Sequence, residues 1–319
     1  MKILVFGAGA VGQAVGCILS AAGHSVDMIT RERYLQVLRA EGLAVTGIFG
    51  DFRANPGHTG FYASVDDIRD NVYDYCLITT KSYDTETAID ELRKLRRQDF
   101  IAVSMQNGCG NFEKLIERFG GERSLAARVI TGFEIERPGH VVITVSADAI
   151  HIGGCVEGEV TETAGRLASA LNDAGLPAES TPYIRRDLFA KLLYNSALNP
   201  LGAALGVHYG ALGDHTDTRT IMSAVIREVF AVIEASGGKT QWATAGEYDS
   251  FFYGRQIPAT YNHRSSMLQD LERGKPTEID ALTGYVSELG RLHDVPTPVC
   301  DTLTGLIRFT ERNRVKKCY

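Results

Sequence analysis

The chain has 319 residues, a formal net charge of −6, 23% charged residues and 44% hydrophobic residues. This length suffices for two domains that each bury a core, and the composition excludes a disordered chain. A mildly acidic chain lacks the basic surface that nucleic acids and anionic membranes attract. The six cysteines form no Cys-x-x-Cys pair, so we expect reduced thiols, no metal site and no disulfide framework.

The sequence also lacks the features of a membrane or secreted protein. No run of about 18 apolar residues is available to span a bilayer. Met1 and Lys2 lead into a short apolar run at 3–6 without a signal-peptide cleavage site. We therefore expect a cytoplasmic protein with neither a membrane nor a nucleic-acid partner. The sequence is compatible with a homodimer but does not specify one.

Up to about residue 182, short β-branched runs alternate with helical stretches, the pattern of a βαβ chain. In chain order, the pattern predicts a strand at 2–6, a helix at 11–22, a strand at 25–30, hairpin strands at 43–47 and 49–53, a strand at 75–80, a helix at 84–96, a strand at 100–105, strands at 128–136 and 140–145, and a helix at 159–174. An Arg-Pro-Gly turn at 137–139 predicts an antiparallel edge of the sheet. The turn residues between Gly175 and Pro182 predict a domain linker.

Beyond Pro182 the strand pattern ends and amphipathic helices follow. They are predicted at 185–206, 217–236, 243–254, 258–272, 278–293 and 299–312. The sequence thus predicts an α/β fold with two domains. Residues 1–182 are predicted to form a Rossmann-type, doubly wound sheet with an antiparallel edge, and residues 183–319 are predicted to form an all-helical domain.

The first predicted strand runs into a G-x-G-x-x-G motif, Gly7-Ala8-Gly9-Ala10-Val11-Gly12, that opens a helix. Glycines here allow a tight turn, close approach of the backbone to a pyrophosphate and close helix–strand packing. The helix N-terminus attracts phosphate. Glycine-rich turns also occur without a ligand, but the position between a buried strand and a helix favours dinucleotide binding. We predict that these six residues bind the cofactor.

The end of the second strand distinguishes NAD from NADP, because an acid there binds the ribose hydroxyls and an arginine binds the 2′-phosphate. Arg31 follows this strand, whereas Asp27 falls inside it. A guanidinium grips phosphate with two charge-assisted hydrogen bonds, so we predict Arg31 as the phosphate clamp and NADP as the cofactor. A solvated surface arginine is the alternative. Lys81 and Asn107 follow two further parallel strands and are also predicted to face the cofactor.

Lys191, Asn195 and Asn199 recur every four residues in the predicted helix 185–206, so they line one face of it. The rest of the helix is apolar, so the polar row needs partners for its groups. Pro200 should kink or end the helix at this point.

A second polar cluster spans 265–280 and includes Ser266 and Glu278. A purely structural interpretation is available, because Thr277 is a good helix N-cap and both Glu278 and Asp280 favour the positive end of a helix dipole. That interpretation is adequate for Asp280. It does not explain why the cluster occurs together with the polar row of the earlier helix.

These motifs together resemble the ketopantoate reductases, also called 2-dehydropantoate 2-reductases. The resemblance covers essentially the whole chain and rests on Gly7-x-Gly9-x-x-Gly12, Arg31, Lys81, Asn107-Gly108, Lys191-x-x-x-Asn195-x-x-x-Asn199-Pro200, Ser265-Ser266-Met-Leu-Gln-Asp270 and Thr277-Glu278-Ile-Asp280. It implies NADPH-dependent reduction of the 2-keto group of ketopantoate to pantoate, a step of pantothenate biosynthesis.

The resemblance also implies a role for each matched residue. Lys191 would be the general acid that protonates the keto oxygen as hydride arrives. Glu278 would bind and orient the substrate hydroxyl. The implied substrate-binding residues are Ser266 at the carboxylate, Asn195 and Asn199 as hydrogen-bond donors, and Asn107 where nicotinamide meets substrate.

Tyr209 departs from the family pattern. At this position the family commonly has an asparagine that contacts the substrate. We keep Tyr209 among the predicted substrate-binding residues. Because a phenol is bulkier than the asparagine side chain, the alternative function is that of a related NADP-dependent reductase acting on another small 2-keto or hydroxy acid. A non-catalytic NADP-binding sensor is a third interpretation, which the complete polar row opposes.

Overall fold

A computed structural model describes residues 1–69 and 72–315, the last two by their backbone alone. The chain divides into two compact units. The sheet unit contains residues 1–107 and 111–184, and the helical unit contains residues 108–110 and the chain from 185 onward. Of the six cysteines, Cys318 lies outside the described residues, and none of the five described cysteines forms a disulfide bond.

The sheet unit is built on one large sheet whose strands are β1 (Lys2–Phe6), β2 (Ser25–Ile29), β5 (Thr59–Tyr62), β6 (Tyr75–Ile78), β7 (Ile101–Ser104), β8 (Ser124–Arg128), β11 (Ile150–Gly153) and β12 (Ala178–Ser180). The eight strands lie in the order β12-β11-β8-β7-β6-β1-β2-β5. Its helices are α1 (Ala10–Ala21), α2 (Glu32–Glu41), α3 (Thr85–Leu92), α4 (Asn111–Phe119) and α5 (Glu162–Asp173). The strands from β8 to β5 run parallel, and β11 runs antiparallel to β8.

Apolar side chains on both faces of β1 explain why helices cover both sides of this sheet. Ile3 and Val5 enter a core that includes residues of α1 and α5, whereas Leu4 and Phe6 enter a core that includes residues of α3 and α4. Successive side chains of a strand point to opposite faces, so a continuous apolar run is buried on both. The predicted doubly wound α/β fold is confirmed.

The predicted antiparallel edge exists, but different strands form it. The segment 128–136 contains the end of β8 and most of β9 (Thr131–Arg137), which pairs with β10 (His140–Ser146). These two strands join β3 (Ala44–Gly47) and β4 (Phe52–Arg53) in a separate sheet of order β4-β3-β10-β9. The antiparallel edge of the main sheet consists of β11 and β12.

The predicted linker was also misassigned in part. Residues 178–180 form the edge strand β12, which pairs in parallel with β11. The predicted linker includes this strand because an edge strand can be as short as three residues and tolerates neighbouring proline.

The helical unit contains α6 to α13. They are α6 (Ile184–Leu205, its first residue in the sheet unit), α7 (Tyr209–Asp214), α8 (Thr216–Ala235), α9 (Ala245–Phe251), α10 (Ile257–Ala259), α11 (Ser266–Glu272), α12 (Thr283–Leu292) and α13 (Pro298–Val315). A π-helical segment at Phe252–Gln256 joins α9 to α10, and a 3₁₀ turn at Ile279–Ala281 precedes α12. Among the described helices, none has the length and apolar character required to cross a membrane.

Pro200 lies inside α6, which continues to Leu205, so it does not end the helix, and the predicted kink stays a prediction. Two other helix predictions need correction. The predicted helix 258–272 is two helices, because α10 ends at Ala259 and α11 begins at Ser266. The α-helix expected from 278 begins at Thr283, after the 3₁₀ turn, and α7 was not predicted at all.

Candidate functional site

The turn between β1 and α1 requires glycine at two of its three motif positions for reasons internal to the protein. Gly7 has a φ of +113°, which side-chain-bearing residues rarely adopt. A Cβ on Gly12 would lie 2.1 Å from the Gly7 carbonyl oxygen. Gly9 is different, because a Cβ there would meet its nearest protein atom at 3.9 Å, an ordinary contact. The space beside Gly9 is therefore suited to close approach of a ligand.

Side chains that the sequence analysis missed hold this turn in place. Thr79 Oγ1 donates a hydrogen bond to the Gly7 carbonyl at 2.6 Å. Gln13 is buried in α1, its Nε2 donates to the Ala8 carbonyl at 2.8 Å, and its Oε1 accepts from the Gly139 N–H at 3.1 Å. The available signal was a glutamine on an otherwise apolar helix directly after the motif.

The end of β2 presents a cation and keeps its acid inside the sheet. Asp27 is buried and accepts a hydrogen bond from the Tyr73 hydroxyl at 2.8 Å. Arg31 lies at the N-cap position of α2 and is exposed. Its guanidinium makes no hydrogen bond or ion pair with the part of the chain that the structure describes. Arg31 therefore stands where the sequence predicts it, with all its donors open to a ligand.

The loops after β6 and β7 are joined by a buried network of polar side chains. Gln106 Nε2 donates to Thr85 Oγ1 at 2.9 Å and to the Lys81 carbonyl at 3.3 Å. Thr85 Oγ1 lies 2.9 Å from Asn111 Oδ1, and Asn111 Nδ2 donates to the Asn107 carbonyl at 3.0 Å. This network, also missed in the sequence, fixes the two backbone segments that carry Lys81 and Asn107.

In the helical unit, α6 carries the predicted polar row on one face. Lys191 is half-buried, whereas Asn195 and Asn199 are only 9% and 6% exposed. The amide of Asn195 makes no hydrogen bond with the described residues. Neither polar atom of this amide is fully enclosed, so the amide is accessible to a ligand.

Tyr209, at the first turn of α7, reaches this row. Its hydroxyl donates a hydrogen bond to Asn199 Oδ1 at 2.6 Å. The side chain is 2% exposed, and burial raises the pKa of its phenol well above the ordinary value, so the group remains a neutral donor. The sequence analysis found Tyr209 as an unusual residue but not its contact with Asn199.

Two adjacent serines near α11 have different environments. Ser265 is buried and caps the helix, since its Oγ accepts from the Leu268 N–H at 3.0 Å. Ser266, the residue predicted to bind substrate, is exposed, and its hydroxyl makes no hydrogen bond with the described residues. The structure thus separates a capping serine from one whose hydroxyl is available.

The two carboxylates near α12 also differ. Glu278 is buried at 8% exposure, at the start of the 3₁₀ turn. The side chain of Asp280 is 70% exposed and accepts a hydrogen bond from Arg308 Nε at 2.9 Å. A surface ion pair accounts for Asp280, whereas Glu278 lies in a buried position that carboxylates rarely occupy.

Two family models match this chain, one in the sheet unit and one in the helical unit. The family model described as ketopantoate reductase PanE/ApbA matches residues 3–156, and the model of its C-terminal domain matches residues 183–311. A 2-dehydropantoate 2-reductase of Aquifex aeolicus (strain VF5) is 37% identical, over 99% of both chains. One of Pyrococcus horikoshii is 30% identical, over 98% of both.

The solved structures agree with these sequence matches. A PanE/ApbA family ketopantoate reductase from Ralstonia eutropha JMP134 superimposes with a TM-score of 0.86 at 29% identity, covering 98% of this chain and 99% of that one. A 2-dehydropantoate 2-reductase from Geobacter metallireducens GS-15 does so with a TM-score of 0.86 at 27% identity, covering 97% and 99%. The resemblance predicted from the motifs is confirmed, and the chain belongs to the ketopantoate reductase family of oxidoreductases.

Proposed function

We propose that this protein reduces the 2-keto group of ketopantoate to pantoate with NADPH. The observation that carries the proposal is the row of Lys191, Asn195 and Asn199 on one largely buried face of α6, where the Asn195 amide has no described partner. The relatives from Aquifex aeolicus and Pyrococcus horikoshii, both named 2-dehydropantoate 2-reductase, support the same reaction.

The sheet unit contains groups that fit NADPH. The turn from Gly7 to Gly12 would receive the pyrophosphate, because the space beside Gly9 admits it and the N-terminus of α1 favours negative charge. Arg31 would hold the 2′-phosphate, and Lys81 and Asn107 would contact the nicotinamide half. When bound, NADPH supplies a hydride to the substrate.

Lys191 would act as the general acid. As the hydride reaches the keto carbon, the C=O π bond breaks and its electron pair moves to oxygen. Lys191 Nζ donates a proton to this oxygen, so that the ketone becomes an alcohol and the lysine is left neutral. Such proton donation contributes about 10²- to 10⁴-fold to rate, and the ammonium also stabilises the developing alkoxide.

The remaining polar groups would hold the substrate. The free hydroxyl of Ser266 is suited to the carboxylate, and the amides of Asn195 and Asn199 are suited to its oxygen atoms. Glu278 would accept a hydrogen bond from the substrate hydroxyl. A site that hydrogen-bonds a substrate hydroxyl rejects an analogue that lacks it, because that part of the binding is lost.

The test is steady-state NADPH oxidation with a panel of 2-keto acids. We expect ketopantoate to give the highest kcat/KM, and trimethylpyruvate, which lacks its hydroxyl, to be at least about a hundredfold poorer. Pyruvate and phenylglyoxylate extend the panel to smaller and aromatic acids. If ketopantoate ranks among the poorest substrates, the proposal is wrong.

Tyr209 favours one second candidate, reduction of a different small 2-keto acid. Its phenol fills a buried position, and its hydroxyl is engaged by Asn199. A panel in which another acid exceeds ketopantoate would support this second function. A wild-type protein that binds NADPH but reduces none of the acids would instead support a sensor.

A further inference from the structure

We propose that Tyr209 is a positioning residue that sets the orientation of the Asn199 side-chain amide, so that its NH₂ group faces the substrate. The inference rests on the proposed function and deepens it. It replaces direct binding of substrate by the phenol with an action through the neighbouring asparagine.

The hydrogen bond between the two side chains determines the orientation of the amide. A neutral phenol has one proton to donate, and of the two amide groups only the carbonyl oxygen accepts it. The Tyr209 hydroxyl lies 2.6 Å from Asn199 Oδ1, so Nδ2 points away from the ring. Rotating the amide by 180° would let the NH₂ group donate to the phenol oxygen, but the phenol proton would then have no acceptor among the described residues.

The other end of the amide is available. Asn199 is 6% exposed, and its Nδ2 makes no hydrogen bond with the described residues. This NH₂ group is not fully enclosed by the protein, so an oxygen atom of the substrate can reach the donor. With the amide fixed, this position presents only a donor, which matches the carboxylate or keto oxygen of a 2-keto acid.

Tyr209 is itself held from several sides. Its ring packs edge-on against Tyr194 at 5.8 Å between centroids and lies 5.1 Å from the His263 ring. Its N–H donates to the His263 carbonyl at 3.0 Å, and the Gly210 N–H donates to the Tyr261 carbonyl at 2.7 Å. A Cβ on Gly210 would lie 2.5 Å from the Tyr261 ring, so this close packing requires glycine. The phenol therefore has a fixed position from which to orient Asn199.

The experiment compares Tyr209→Phe with a matched variant, Tyr248→Phe. Tyr248 is buried in the same unit, and its hydroxyl donates to an amide oxygen, Gln256 Oε1, at 2.9 Å. Each substitution removes one hydrogen bond of the same type, so a merely structural effect should be similar in both. Thermal unfolding measures that effect, and KM for the 2-keto acid, KM for NADPH and kcat are measured alongside.

We expect Tyr209→Phe to raise KM for the 2-keto acid about tenfold, the value of one hydrogen bond. KM for NADPH should change less than about twofold, and Tyr248→Phe should leave both constants unchanged. In an Asn199→Ala background, Tyr209→Phe should have no further effect on KM. An equal rise in that background, or equal effects of the two phenylalanine variants, would overturn the proposal.

Asn199→Asp provides a second variant if Tyr209→Phe does not fold. The carboxylate still accepts from the phenol but offers no NH₂ donor, so KM for the 2-keto acid should rise as much as in Asn199→Ala. An Asn199→Asp enzyme with wild-type KM would contradict the donor role.

A readout independent of turnover separates this inference from the proposed function. The ¹⁵N–¹H signals of the Asn199 side-chain NH₂ should shift in Tyr209→Phe and stay in place in Tyr248→Phe. If the wild type reduces no 2-keto acid, the proposed function fails, while these signals still report whether Tyr209 orients the amide. Unchanged signals in Tyr209→Phe would overturn the inference.

Discussion

The two units of the chain prepare their ligand-binding groups by different physical means. In the sheet unit, side-chain hydrogen bonds fix the backbone segments that carry these groups: Thr79 donates to the Gly7 carbonyl, and Gln106 and Asn111 donate to the carbonyls of Lys81 and Asn107. In the helical unit, the groups are side chains projecting from one helix, α6. Ligand binding by the sheet unit should therefore suffer when a side-chain atom is added to a glycine of the turn, whereas the helical unit should lose function when a polar side chain is removed.

The helix gives its side chains a regular spacing. Four residues of an α-helix rise about 6 Å, so the row from Lys191 to Asn199 extends about 12 Å. This length suits several polar atoms of one small acid. A flexible loop would have to lose conformational freedom to present the same groups, whereas the helix presents them already ordered.

The largest predicted effect is in the helical unit, where removing the Lys191 side chain should abolish most of the turnover but leave NADPH binding unchanged. Lys191→Ala should lower kcat by at least about a hundredfold, because the alkoxide loses both its proton donor and its cation. The dissociation constant of NADPH, measured by fluorescence titration, should remain near the wild-type value. Lys239→Ala removes an exposed lysine of the same unit and serves as the control. Near-normal turnover of Lys191→Ala would refute the general-acid role.

The next effect tests the sheet side, where adding one methyl group should matter. Gly9→Ala should raise the dissociation constant of NADPH at least about tenfold without changing the thermal unfolding temperature, because the new Cβ meets only the ligand space. Gly12→Ala should instead lower the unfolding temperature markedly, since its Cβ would collide with the Gly7 carbonyl at 2.1 Å. If Gly9→Ala binds NADPH normally, the pyrophosphate does not lie against this turn.

A smaller effect is expected from Arg31, a side chain of the sheet unit that lies outside the glycine turn. Arg31→Ala should weaken NADPH about tenfold while changing NADH less than about twofold, because only NADPH carries the 2′-phosphate. The matched control is Arg33→Ala, which removes an exposed cation that lies over the Tyr34 ring at 4.9 Å. Equal losses for the two nucleotides would show that Arg31 does not hold the phosphate.

The same contrast explains which parts of the fold could be predicted. The strand β1 and the helix α6 were predicted nearly to their ends because their signals lie within a few consecutive residues. The second sheet was not predicted, because β10 pairs with β3, about a hundred residues earlier in the chain: His140 is opposite Ala44. Pairing at such a separation leaves no periodic signal in either segment.

The site shows the same limit. The row from Lys191 to Asn199 could be predicted from its spacing alone. The bond from Tyr209 to Asn199 could not, because it depends on how the unpredicted helix α7 packs. The link from Gln106 to Thr85 depends in turn on two loops that meet only in the folded sheet.

The smallest predicted effect concerns Asp280, the carboxylate for which a purely structural role was adequate in the sequence analysis. Asp280→Asn should leave kcat and both KM values within about twofold of wild type, and should lower the free energy of unfolding by at most about 1 kcal/mol, because its pair with Arg308 is exposed. Glu278→Gln, two residues earlier and buried, should raise KM for the hydroxylated 2-keto acid well beyond that twofold limit. Denaturant unfolding and steady-state kinetics measure both. If the two variants behave alike, burial does not distinguish a substrate-binding carboxylate from a surface one in this turn, and Glu278 loses its proposed role.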